Sequence, residues 1–127
     1  MTRSAAEYEL TIERRPLYLY ACVESTSISR EMVLSYLSEI FEAFRSGQYS
    51  RLLIVKEIPA SLEQDDFAFI ASEIVRSGAQ GLKIAVVDEF PDHAEMNHIG
   101  AAKAKKTGLD VEFFGSFASA VHWLLHG

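Results

Sequence analysis

The 127-residue chain holds one cysteine, Cys22, so it can close no internal disulfide and build no cysteine-rich zinc module. It has no basic surplus. Twelve Lys and Arg stand against 18 Asp and Glu, a formal net charge of −6. A phosphate backbone or an anionic lipid surface attracts the opposite sign, so charge argues against nucleic acid and against membrane adsorption. No uncharged apolar run approaches the ~18 residues of a bilayer span, and Met1–Leu10 carries no apolar signal core. The cytoplasm is therefore the expected compartment. Glycine is sparse, 7 residues, and forms neither Gly-x-Gly-x-x-Gly nor a Walker-type Gly-Lys-Ser/Thr, so no phosphate-cradling loop is expected. No repeat, linker or low-complexity stretch divides the chain. One domain over 1–127 is expected, with 1–7, small and polar, as a frayed end.

What is present is periodicity. Tyr8, Leu10 and Ile12 alternate with Glu9, Thr11 and Glu13, the pattern of a strand with one buried face. After Arg14-Arg15-Pro16, the run from Leu17 to Val23 is apolar on both parities and reads as a strand covered on both faces. The short link makes the two an antiparallel hairpin. Ser25–Ser29 supplies cap-type residues. Val33, Tyr36, Leu37, Ile40, Phe41 and Phe44 then mark an amphipathic helix ending near Gly47.

Leu52–Val55 predicts a strand. Ser61-Leu62-Glu63-Gln64 has capping-box spacing ahead of a helix with Phe67, Ile70, Ala71, Ile74 and Val75, closed by Gly78. Leu82–Val87 and Val111–Phe114 predict two more strands. Pro91 and Asp92 open a third helix of mostly small residues, which should bury little area. Ser116 caps a last helix carrying Phe117, Ala120, Val121 and Leu124. The order β-β-α-β-α-β-α-β-α implies an α/β fold, a mixed, mostly parallel five-stranded sheet with a hairpin start and four helices.

Gly108-Leu109-Asp110-Val111, Phe114, Ala120 and Trp123-Leu124 resemble the closing pattern of the SpoIIAA-like family, small bacterial relatives of the STAS domains of anti-sigma-factor antagonists. With the hairpin start and the helix order, the likeness runs over roughly 8–125. It implies a cytoplasmic, non-enzymatic module that binds a protein partner or itself. Because the SpoIIAA-like fold is similar to that of lipid-binding CRAL-TRIO domains, it also raises a carrier of an apolar ligand. The family often has Asn-Arg before the glycine, where this chain has Lys106-Thr107. Phospho-switch STAS proteins carry Asp-Ser-Ser/Thr-Gly after the central strand. The matching stretch here, Lys56 to Ser61, keeps only the Ser61 hydroxyl, which the spacing also assigns to helix capping.

Ligands of open parallel sheets sit beyond the strands' carboxyl ends. Those ends offer Glu24, then Lys56 and Glu57, then Asp88, Glu89 and Phe90, with His93 at the next helix. Glu24, Lys56, Glu57, Ser61, Asp88, Phe90 and His93 are thus the candidate binding residues. The ordinary place for charges at strand ends is water. An enzyme built on Glu57, Asp88 and His93 is the remote alternative, and no metal or cofactor is expected. His93 and His98 diverge by about 140° on a helix and cannot share a ligand. His122 and His126 share a face with no carboxylate beside them. Phe69, off the stripe of its helix, and Phe90, in a strand-end loop, are expected to be exposed. Surplus aromatics, 8 Phe and 5 Tyr, point to a core filling, a pocket or a dimer contact.

Overall fold

In a computed structural model the described residues are 7–78 and 81–127, together with the backbone of 2–4. The elements are β1 (Thr2–Ser4), β2 (Glu9–Arg14), β3 (Leu19–Glu24), α1 (Arg30–Gly47), β4 (Arg51–Glu57), α2 (Gln64–Arg76), β5 (Lys83–Val87), a 3-10 turn Pro91–His93, α3 (Ala94–Lys106), β6 (Asp110–Phe114) and α4 (Phe117–His126). The expected α/β architecture is present, with its antiparallel hairpin (Leu10 opposite Val23), its parallel run β3–β4–β5–β6 and its four helices.

Three local expectations are corrected. In the segment 1–7, expected to be frayed, Thr2–Ser4 pairs antiparallel with Glu9–Thr11 and makes a sixth, edge strand, while Met1, Ala5 and Ala6 lie outside the described residues. Leu17 belongs to the hairpin turn and is 58% exposed rather than part of a buried strand. Ser61 does not cap α2. Its hydroxyl donates to the Leu62 carbonyl, and the helix starts instead at Glu63, whose amide donates to the Asp66 carboxylate at 3.3 Å. The box is shifted by two residues, and an acid at each end suits the helix dipole.

The sheet runs β1-β2-β3-β4-β5-β6 in chain order. Right-handed crossovers that all step the same way deliver every crossing helix to one face. That face carries the larger core. Leu19, Ala21, Leu52, Ile54, Ile84 and Val111 meet Ile40, Phe41 and Phe44 of α1 and Ile70 of α2. The other face carries Tyr18, Cys22, Leu53, Val55, Ala85 and Val87 beneath Ala120 and Leu124 of α4. Because the strand order never reverses, the sheet has no switch point, the feature that opens a crevice in doubly wound folds.

Serine capping sets the helices at both ends of the chain. Ser29 accepts from Met32 at the start of α1, and Ser116 accepts from Ser119 at the start of α4. At the far end of α4, the Lys83 ammonium donates to the Trp123 and Gly127 carbonyls, 2.8 Å each, and lies 4.5 Å over the Trp123 ring. α3 buries Asn97, Gly100, Ala101 and Ala104, a narrow stripe of small residues, as its composition implies. No helix of the described chain is long and apolar enough to cross a membrane.

Candidate functional site

β4 and β5 end side by side on the three-helix face. Lys56 is the last inward position of β4, and Asp88 follows β5 with its amide bonded to the Phe114 carbonyl at 2.8 Å. The turn after β5 swings His93 back over the strand ends, and α3 brings Asn97 one helical turn later. All four are buried, Lys56 at 7%, Asp88 at 5%, His93 and Asn97 at 4% exposure. The expectation that strand-end charges are solvated therefore fails for Lys56 and Asp88. Each is tied into a network that replaces its water.

Asp88 is the hub. Its carboxylate accepts from Lys56 Nζ at 3.2 Å, Asn97 Nδ2 at 3.0 Å and the Phe90 amide at 3.1 Å. His93 Nδ1 lies 2.9 and 3.1 Å from its two oxygens. Burial alone would push the Asp88 carboxyl up. The Asn97 amide, the Lys56 ammonium, the His93 ring and the Phe90 N–H outweigh it and hold the group below its ordinary 3.8. On its other side, His93 Nε2 donates to the Pro59 carbonyl at 3.0 Å, tying the turn after β5 to the loop after β4. Both ring nitrogens are engaged, and Asp88 is saturated. The Asn97 Oδ1 is the one buried side-chain acceptor of the set with no hydrogen-bond partner among the described residues.

The other candidate residues lie elsewhere. Glu24 and Glu57 are exposed neighbours across β3 and β4, pointing to the opposite face with Cys22. The ligand atoms of these three lie within 4.8 Å of one another. Burial, then the Glu57 and Glu24 charges, push the Cys22 thiol up to about 11. Ser61 sits in the loop before α2, where its hydroxyl donates to the Leu62 carbonyl. Glu57 therefore does not meet Asp88 and His93, and the three-residue catalytic set is not assembled.

Phe90 is 38% exposed and lies against the His93 ring, centroids 5.2 Å apart. Phe69 is also exposed, as its off-stripe position implies, and carries the Arg30 guanidinium 4.4 Å over its face. Beside Phe90 a groove of about 440 Å³ runs between the start of α3 and the end of β6. Asp88, Glu89, Asn97, Glu112 and Phe114 are among its walls. A second, apolar hollow of about 110 Å³ lies between the sheet and α1, α2 and α3, with Tyr36, Ile54, Ile70, Ala71 and Val111 in its wall and Lys56 at its end. Burial, with the Asp88 and Tyr8 charges behind it, raises the Tyr36 hydroxyl well above its ordinary range.

Asn97 was not among the sequence candidates. Its signal was spacing: His93, Asn97, Gly100/Ala101 and Ala104 fall on one helical face, and an amide on an otherwise small, apolar stripe needs a polar partner inside. The Pro59 carbonyl, a backbone partner across the loops, has no side-chain signal. No protein-family model matches the chain, and no curated protein matches it.

Proposed function

We propose that this chain is a non-enzymatic, SpoIIAA-like and STAS-related recognition module of the cytoplasm, which docks another protein on the carboxyl-end rim over Phe90. The observation that carries this reading is the saturation of Asp88. Lys56, His93 and the Asn97 Nδ2 are all committed to that carboxylate, while Phe90 stands half-exposed against the His93 ring. A buried hydrogen-bonded network fixes the shape of a surface. Lys56, Asp88 and His93 thus serve recognition from beneath, and Phe90 meets the partner. Glu24, Glu57 and Ser61 lie outside this contact.

The test compares tagged wild-type protein with Phe90→Ala in the source cell, with co-purifying proteins quantified by mass spectrometry. A specific partner recovered with the wild type and depleted with the variant, at equal Tm, supports the rim. Equal recovery from both removes Phe90 and this reading with it. Self-association through the same rim appears instead as a dimer in sedimentation that Phe90→Ala dissociates.

The apolar hollow favours a second reading, a carrier of a small apolar ligand. Its wall is aliphatic and aromatic except at Lys56 and Tyr36, and its size suits a ligand of a few carbons. Native mass spectrometry of gently purified protein separates the two: a retained apolar mass supports the carrier, and a bare chain opposes it.

A further inference from the structure

We propose that His122 and His126 form a two-imidazole chelate for a divalent transition-metal ion of the zinc class on the outer crest of α4. The inference is independent of both readings above, because neither the groove beside Phe90 nor the apolar hollow takes a wall from α4.

Three observations carry it. The first is placement. α4 buries Ala120 and Leu124 against the sheet. His122 stands about 200° around the helix from each of them, so it leaves on the far side, and His126 follows one turn later. Both histidines are exposed to solvent. The second is separation. Residues four apart are neighbours on one helix face, and here the two ring centroids lie 5.3 Å apart. A tetrahedral ion with Zn–N bonds of about 2.0–2.1 Å sets the centroids of two bound imidazoles about 5.2 Å apart. The rings already stand at chelating distance, and rotation of each ring is the movement left to make. The third is freedom. Neither ring makes a hydrogen bond or an ion pair among the described residues. His93, by contrast, spends both nitrogens on Asp88 and the Pro59 carbonyl, and His98 stands exposed on α3 with no second histidine on its face.

The donor set selects the ion. Imidazole nitrogen suits zinc, copper and nickel, whereas magnesium and calcium take oxygen ligands. Two protein ligands leave the other positions of the ion to water. The metal also ties the last turn of α4 across i and i+4. An ion that binds the folded helix and finds no such pair in the unfolded chain stabilises the fold by mass action.

The experiment titrates isotope-labelled full-length protein with ZnCl2 and, separately, MgCl2, read by the ring C–H signals of the four histidines in NMR. The expected result is saturable shifts of His122 and His126 together at one zinc per chain, with His93 and His98 unmoved and no response to magnesium. His122→Gln and His126→Gln change exposed side chains, so each should fold with the metal-free Tm of the wild type. Each should weaken zinc about tenfold or more, because the second imidazole binds as the other arm of one chelate. Zinc should raise the Tm of the wild type and of neither variant. Absent saturation overturns the chelate, as does zinc that moves His98 as strongly as His122 or that survives either single substitution. Zinc lost on Cys22→Ser instead places the ion at Cys22, Glu24 and Glu57 and overturns it too. The rim and carrier readings stand or fall on their own tests.

Discussion

Asp88 shows how one buried charge can organise a surface. Taking a carboxylate out of water is expensive, and only a complete set of donors offsets it. Asp88→Asn keeps the shape but leaves Lys56 and His93 without their anion. It should lower stability at pH 7 by about 3 kcal/mol in urea unfolding, the scale for breaking a buried charge network. The pH dependence has a definite sign. The folded Asp88 carboxyl lies below its ordinary value, so its stabilisation is complete above about pH 4 and is lost as pH falls through the folded value. Stability curves between pH 5 and pH 2 should therefore be flatter for Asp88→Asn than for the wild type. Parallel acid limbs would show that other carboxylates govern acid unfolding. At Cys22 the displacement runs the other way. A thiol raised from 9.0 to about 11 carries about a hundredfold less thiolate at pH 8 than an ordinary one. Iodoacetamide should label native Cys22 about a hundredfold more slowly than the urea-unfolded chain, measured by intact mass. Equal rates would place the thiol in open solvent.

Helix α3 looks weak in composition, yet its smallness is what lets it seat. A Cβ on Gly100 would stand 2.5 Å from the Phe67 ring of α2, and that ring packs edge-on against Phe113, centroids 6.2 Å apart. Gly100→Ala gains about 1 kcal/mol of helix propensity. It also drives a ring from its site in a packed layer, where overpacking costs about 1–3 kcal/mol. The second effect should win, with a lower Tm for Gly100→Ala and recovery in Gly100→Ala/Phe67→Leu. A higher Tm for the single variant would show that α2 and α3 part easily. The elements themselves were legible because each repeats a period: Val33 to Phe44 at helical spacing, Leu10 and Ile12 at strand spacing. Their ends were less so. Ser61 and Glu63 both sit in cap-like contexts, and which one starts α2 depends on where Asp66 lands. The network was half legible. Lys56, Asp88 and His93 stand at strand ends, where a binding site is sought, but their burial depends on how far the turn at Pro91–His93 folds back over β4. No local pattern in the sequence encodes that.

At the scale of the molecule, the uniform stepping of the sheet gives it two unequal sides. Three helices share one face and α4 alone covers the other, so α1, α2 and α3 must tile a twisted surface together. The hollow of about 110 Å³ beneath α2 is where that tiling is incomplete. Ala71, buried on α2, lines it, and Ala71→Leu adds three carbons toward the space. Each buried methylene can contribute up to about 0.8 kcal/mol, and imperfect rotamer fit subtracts from the sum, so a net gain of about 1 kcal/mol is expected. For a domain of this length that is a rise of roughly 4 °C in Tm by calorimetry. The same substitution should abolish retention of any apolar mass in native mass spectrometry, because the added side chain and the ligand compete for one volume. A higher Tm with no ligand lost makes the hollow a packing defect and leaves function to the rim. A lower Tm means that α2 already settles onto the sheet in solution, and the carrier reading then has no site to occupy.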